Sequence, residues 1–153
     1  MRAAYFLLAI LSIVSAQTKQ VMPQANNLVQ KGERVQTLPD STSIRLFQSL
    51  EAEIRSGSGR LVERLAGASL NLSVPGMEAG IVSANQAGAI VVEFFHQHKI
   101  QGVAFTYRGV NEGNRFATGR LSTVARGAQE VFQVYAAFTE TPSGWTLSQF
   151  NIY

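Results

Sequence analysis

The 153-residue chain contains no cysteine and few charges. The absence of cysteine excludes disulfides, thiolate nucleophiles, cysteine-ligated zinc, iron–sulfur clusters and a lipid-modified N-terminal cysteine. Charged residues make up only 15% of the chain, and the formal net charge is +3. No two basic residues are adjacent, so the sequence lacks the clustered basic patch typical of nucleic-acid binding. We therefore expect no nucleic-acid partner.

Side chains suited to metal binding or nucleophilic catalysis are also scarce. The chain has one aspartate, Asp40, and two histidines, His96 and His98. Two histidines two positions apart on a helix point in different directions, whereas histidines four apart can share a metal. No glycine-rich phosphate loop and no serine-nucleophile turn is present. The sequence predicts no metal site and no cofactor.

The first 16 residues have the pattern of a secretory signal peptide. Arg2 precedes an apolar run from Tyr5 to Val14, and Ala16 provides a small residue at the cleavage position. The run is about 10 residues long, whereas a membrane-spanning helix needs roughly 20. We expect cleavage after Ala16 and a secreted or periplasmic product without a transmembrane anchor.

Residues 17–40 differ in composition from the rest of the chain. Between Gln17 and Pro39 there are five glutamines, two prolines and no aromatic residue, which favours a flexible spacer. Asp40 and Ser41 then suit the N-terminal cap of a helix. The triplet Asp40-Ser41-Thr42 also resembles a short bacterial O-glycosylation acceptor. We interpret residues 41–153 as a single domain.

The domain begins with helices and ends with strands. Apolar spacing and turn residues predict helices over 44–55, 60–66 and 84–98, and strands over 70–74, 79–82, 103–107, 116–123, 130–138 and 145–153. In the last helix Phe94 and Phe95 lie in the apolar stripe. The strand after Gly102 is expected to direct Val103, Phe105 and Tyr107 to one side. This order predicts an α+β fold with helices on one face of an antiparallel sheet.

The order of elements resembles the nuclear-transport-factor-like, or cystatin-like, fold. Several segments also resemble a secreted bacterial family of unknown function, number four-seven-eight-three in that series: Gly80-Ile81-Val82-Ser83, Asn85-Gln86-Ala87, Phe94-Phe95, Ala117-Thr118-Gly119, Phe132-Gln133-Val134-Tyr135, and Trp145 with Ser148 to Ile152. The resemblance covers about residues 44–153. It implies a cone-like fold in which a strongly bent sheet wraps a long helix, and it implies no particular reaction.

Catalysis has little support in the residue types present. Enzymes with the fold that the resemblance implies usually use an aspartate, or an aspartate and a histidine, inside the cone, and this domain has no aspartate after Asp40. Glu93 and Glu112 are expected on the surface. His98 lies near the end of the apolar stripe, where it faces either the cavity or the rim. The sequence favours a binding domain, with an isomerase- or dehydratase-like enzyme and a structural envelope component as alternatives.

Five side chains are candidates for lining a ligand site on a concave surface, because each joins a ring or a stem to a polar tip. They are His98, Tyr107, Tyr135, Trp145 and Gln149. The alternative is ordinary sheet packing with outward-facing aromatics. The expected partners are a small apolar ligand or an envelope protein. Because the strand at 130–138 is apolar on both sides, a homodimer formed through the sheet is also expected.

Overall fold

The computed structural model of the protein describes residues 40–77 and 80–153. The elements in this part of the chain are α1 (Ser41–Ser56), α2 (Arg60–Leu65), β1 (Ala66–Ser73), β2 (Gly80–Ser83), α3 (Ala84–Gln97), β3 (Lys99–Asn111), β4 (Asn114–Ala125), β5 (Ala128–Thr141) and β6 (Gly144–Ile152). The predicted signal peptide and all of the predicted spacer before Asp40 lie outside the described residues. The α+β class is confirmed.

Local sequence explains where the two longer helices begin. The Asp40 carboxylate accepts a hydrogen bond from the Ser43 N–H at 2.7 Å, which caps α1. At α3, Ser83 and Gln86 form a reciprocal capping box. Each cap satisfies backbone N–H groups that have no partner inside the helix. The predicted starts of both helices are therefore correct to within a few residues.

The six strands form one mixed sheet in the order β2-β1-β6-β5-β4-β3. All neighbouring strands are antiparallel except β1 and β6, which are parallel. The expected antiparallel sheet thus holds for the β3 to β6 meander and for β1 with β2, but not where the first and last strands meet. A parallel pair joins segments far apart in sequence, and local patterning does not specify it.

Large apolar side chains fill the space between the helices and the sheet. Phe47 of α1 packs edge-on against Phe105 and Phe138, with ring centroids 5.4 and 5.3 Å apart. Phe94 of α3 is fully buried, as predicted, and contacts Phe132 at 5.5 Å. We call the side of the sheet that bears Phe105, Phe132 and Phe138 the inner face, and the opposite side the outer face.

A β-bulge changes the direction of side chains in β3. Phe105 pairs with Gly119 and Tyr107 pairs with Thr118, so Thr106 has no partner of its own. The extra residue reverses the alternation. Phe105 is buried on the inner face, whereas Tyr107 is 37% exposed on the outer face. The expectation that Tyr107 shares a side with Val103 and Phe105 is therefore wrong.

Among the helices of residues 40–77 and 80–153, none is both long and apolar enough to cross a membrane.

Candidate functional site

His98 occupies the C-cap position of α3, and both of its ring nitrogens are engaged. Its Nδ1 lies 3.0 Å from the Phe94 carbonyl oxygen, and its Nε2 lies 3.4 Å from a Glu130 oxygen. The ring stacks on Phe94 with centroids 4.1 Å apart and meets the edge of Phe132 at 5.6 Å. His98 therefore joins the end of α3 to β5.

Glu51 is the carboxylate that α1 directs toward β3. It accepts a hydrogen bond from the Phe105 N–H at 2.7 Å, and it lies 3.3 Å from Arg55 and 3.6 Å from Arg108. The Phe105 N–H is next to the bulge, where ladder hydrogen bonding is disrupted. Glu51 thus holds the bulge and two arginines together. Glu51 was not among the predicted site residues, and its only local signal in the sequence is the i,i+4 pair with Arg55.

Trp145 lies with the beginning of α1 rather than with the other aromatic candidates. The Arg115 guanidinium stands 3.9 Å from the centroid of the Trp145 ring. The same guanidinium hydrogen-bonds the Asp40 carboxylate that caps α1. Trp145 therefore belongs to a cluster that connects β4 and β6 to the first turn of α1.

Aromatic rings cross three neighbouring strands on the outer face. Tyr107 and Phe116 have centroids 5.9 Å apart, and Phe116 and Tyr135 have centroids 6.2 Å apart with ring planes inclined by 22°. A Cβ at Gly109 would lie only 2.6 Å from the Phe116 Cζ. The Phe116 ring therefore rests across the β3 backbone at Gly109, where a larger side chain would displace the ring. Phe116 was not among the predicted site residues.

An open groove lies beside these rings. Its volume is about 230 Å³, and we call it the outer groove. It is lined by Asn111, Asn114, Phe116, Tyr135, Ala137, Ser148 and Gln149. Of the five predicted residues, Tyr135 and Gln149 line this groove and Tyr107 adjoins it through Phe116. His98 and Trp145 belong to the two separate clusters described above.

Hydrogen bonds fix several polar groups at the outer groove. The Thr139 hydroxyl donates to Asn114 Oδ1 at 2.7 Å and also lies 3.0 Å from Ser148 Oγ. Ser148 in turn donates to the Ala137 carbonyl at 3.2 Å. With its oxygen occupied in this way, Asn114 keeps its Nδ2 hydrogens available as donors. The orientation of this amide is thus set before a ligand arrives.

Tyr135 keeps its hydroxyl proton at neutral pH. Burial raises the pKa of Tyr135 above its usual value, and the nearby Tyr153 adds to the effect. Since the ordinary pKa of tyrosine is already about 10, the neutral hydroxyl is the form present under physiological conditions. It can both donate and accept a hydrogen bond.

Metal-ligating side chains do not converge within the described ranges. In residues 40–77 and 80–153, no group of three or more His, Cys, Asp or Glu side chains is arranged to hold a metal ion. The outer groove is lined instead by amides, hydroxyls and aromatic rings. These groups can bind a molecule through hydrogen bonds and ring contacts.

Three solved structures show the same fold. A DUF4783 family protein from Bacteroides ovatus ATCC 8483 is 22% identical, with a TM-score of 0.58 over 67% of this chain and 89% of that one. A DUF4783 family protein from Bacteroides uniformis ATCC 8492 is 17% identical, with a TM-score of 0.60 over 69% of this chain and 93% of that one. An NTF2-like design with a long sheet is 7% identical, with a TM-score of 0.60 over 72% of this chain and 99% of that one.

Comparison with curated proteins found no match. The family model of a domain of unknown function, DUF4783, matches residues 47–152. That range includes every strand described above and all of the described helical residues except the first six of α1. Both the predicted nuclear-transport-factor-like fold and the predicted family are confirmed. The chain belongs to the DUF4783 family of domains of unknown function.

Proposed function

We propose that this protein is an exported, non-catalytic binding domain that holds an uncharged small molecule in the outer groove. The contrast between the two faces of the sheet supports the proposal. On the inner face, Phe47, Phe94 and Phe138 are fully buried against the sheet and helices. The outer groove is open and combines two aromatic rings with several neutral polar groups. Small-molecule sites typically have this mixture of apolar walls and a few orienting polar groups.

The engagement of the ionisable side chains supports a non-catalytic role. A general base needs an oxygen or nitrogen that can reach the proton it removes. Glu51 already accepts from the Phe105 N–H and pairs with Arg55 and Arg108. His98 uses both nitrogens in contacts with Phe94 and Glu130. These contacts hold α1 and α3 to the sheet, so a structural role accounts for both side chains.

Export is the second part of the proposal, and it rests on the sequence of residues 1–16. The short apolar run with its preceding Arg2 and the small residue at Ala16 favour a cleaved signal peptide. A cysteine-free domain is also suited to an oxidising compartment, because it has no thiol to form unwanted disulfides. We propose a secreted or periplasmic location.

Ligand-observed and amide NMR spectra test the binding proposal. Purified protein is titrated with a panel of uncharged fragments, including saccharides, phenols and aliphatic amides, and with matched charged fragments. We expect uncharged fragments to shift the amide signals of Phe116, Tyr135 and Gln149, and we expect Phe116→Ala to abolish these shifts. Val131→Ala is the control, because Val131 is 65% exposed on the outer face and does not line the groove. Failure of every fragment to shift the groove signals would contradict the proposal.

The homodimer and the envelope-protein partner remain predictions, and both concern the outer face of the sheet. Val131, the most exposed large apolar residue of β5, is six positions from Ala137 in the groove, or about 20 Å along a strand. A dimer whose subunits contact each other only at the Val131 end of β5 therefore leaves the groove accessible. Pairing over the whole face covers the groove and is incompatible with ligand binding there.

A further inference from the structure

The structure points to a neutral saccharide as the ligand of the outer groove, an inference that rests on the proposed function above. The first reason is charge. All seven residues that line the groove are uncharged: Asn111, Asn114, Phe116, Tyr135, Ala137, Ser148 and Gln149. A phosphate, carboxylate or ammonium group placed there would lose water without gaining an opposite charge, which is costly. The groove therefore favours an uncharged molecule.

The nearest basic residue on β4 does not change this conclusion. Arg115 precedes Phe116 in the chain, so its side chain points to the inner face. There it stacks on Trp145 and bonds to Asp40. Its charge is thus already paired on the opposite side of the sheet.

The polar groups of the groove match what a sugar ring presents. Sugars carry many hydroxyls, and each hydroxyl both donates and accepts. The side-chain amides of Asn111, Asn114 and Gln149 offer donors and acceptors within one group, and the Tyr135 and Ser148 hydroxyls do the same. Within residues 40–77 and 80–153, the side chains of Asn111 and Gln149 make no hydrogen bond to another protein group, whereas Asn114 and Ser148 are fixed by Thr139. A purely apolar ligand would leave these groups without partners.

The aromatic rings supply the apolar part of saccharide recognition. One face of a sugar ring consists of C–H groups, and these carry a slight positive charge that is attracted to the negative face of an aromatic ring. Phe116 and Tyr135 have nearly parallel planes, 22° apart, and Tyr107 extends the row onto β3. The Phe116 ring is supported from below by Gly109. The row therefore provides a continuous apolar strip beside the amides.

The size and shape of the groove favour a short segment of a glycan. Its volume of about 230 Å³ is below the roughly 300–1,000 Å³ that encloses a drug-sized molecule. An open groove of this size accommodates one or two sugar rings while the rest of the chain extends into solvent. We therefore infer an oligosaccharide or the end of a polysaccharide, held by one or two of its units.

Calorimetry and NMR with defined sugars test the inference on the protein that remains after the proposed cleavage following Ala16. The probes are cellotriose, maltotriose and the trimer of N-acetylglucosamine, with gluconate and glucose 6-phosphate as charged controls. We expect at least one neutral trimer to bind with a dissociation constant on the order of 1 mM or tighter. We also expect this affinity to be nearly constant between about 0.05 and 0.5 M salt, since only charged contacts are screened.

Two glutamines of the outer face form a matched pair of variants. Gln149 lines the groove, whereas Gln133 is exposed on the same face outside it. We expect Gln149→Ala to weaken sugar binding about fivefold or more, which corresponds to the loss of one hydrogen bond, and Gln133→Ala to have no effect. Phe116→Ala should abolish binding, and Tyr135→Phe should weaken it while the aromatic row is kept.

The possible failures are distinguishable. Groove binding by phenols or amides without any binding by neutral sugars overturns the saccharide inference but leaves the proposed function intact. Absence of binding by every class of fragment overturns both. A stable dimer in sedimentation whose formation shifts the Phe116 and Gln149 amide signals also overturns both, because a second copy of the chain then occupies the groove. Equal loss of binding in Gln149→Ala and Gln133→Ala contradicts the assignment of the site to the groove.

Discussion

At the scale of single residues, Phe94 connects α3 to the sheet. Its ring is fully buried and contacts Phe95, His98 and Phe132. We expect Phe94→Ala to lower the free energy of unfolding by about 3–5 kcal/mol, because the change removes buried apolar surface and leaves a cavity. Denaturant titration measures the loss. Val131→Ala, at a mostly exposed position, is the control and should change stability by less than about 0.5 kcal/mol. A loss below about 1 kcal/mol for Phe94→Ala would contradict the core position.

Gly119 allows β3 and β4 to approach closely next to the bulge. A Cβ at this position would collide with the Ala104 carbonyl oxygen and would lie 2.7 Å from the Phe105 Cα. Both contacts involve backbone atoms, so the strands themselves must separate to relieve them. We expect Gly119→Ala to destabilise the fold by about 1–3 kcal/mol or more.

Gly102→Ala is the matched control for Gly119→Ala. Gly102 is also a strand glycine beside a register shift in the β3–β4 pair, yet a Cβ there meets no atom within 4 Å. Alanine at a compatible position restricts the unfolded chain and is neutral or slightly stabilising. Thermal melts of the two variants compare them directly. Similar midpoints would show that the close approach at Gly119 has little energetic effect.

At the scale of elements, the start of α1 is tied to the sheet by one carboxylate. Hydrogen bonds from Arg115, and secondarily from the Ser43 N–H, hold the pKa of Asp40 well below its usual range. A carboxylate with a lower pKa in the folded state stabilises the fold above its unfolded pKa of about 3.9, and this stabilisation is lost as the pH falls.

Asp40→Asn removes the negative charge but keeps the helix cap, because asparagine and aspartate are equally good N-cap residues. We expect wild type to be more stable than Asp40→Asn above about pH 5, and the difference to shrink as the pH falls below about 4. Denaturation midpoints measured across this range test the expectation. In an Arg115→Gln background the same comparison should give a smaller difference. An unchanged difference in that background would show that Arg115 does not stabilise the Asp40 carboxylate.

At the scale of the whole molecule, the proposed location depends on the first 16 residues. We expect the exported protein to begin at Gln17 or within a residue or two of it, since Ala16 occupies the cleavage position. N-terminal sequencing of protein recovered from the host's periplasm or medium measures this directly. Recovery of chains that retain Met1 in the membrane fraction would contradict cleavage and export in the proposed form.

Some parts of the candidate site were predictable from the sequence and others were not. Tyr135 and Gln149 were candidates because they lie on predicted strands and carry polar tips suited to lining a concave surface, and the structure places both beside the outer groove, on the side of the sheet away from the helices. Phe116 was missed because its place on the sheet depends on Gly109 in the neighbouring strand. Trp145 was grouped with the other aromatic candidates, whereas the structure places it against Arg115. Trp145 is on β6 and Arg115 is on β4, and a contact between distant strands leaves no local pattern in the sequence.

The sequence by itself determined the order of elements, the caps of α1 and α3 and the buried faces of the helices. These features depend on residues within a few positions of one another, so apolar spacing and capping chemistry are sufficient to specify them. Only the tertiary structure decided the parallel pairing of β1 with β6, the bulge at Thr106 that turns Tyr107 outward, and the assembly of the outer groove. Each of these depends on contacts between distant segments, where register and strand direction follow from the packing of the whole sheet.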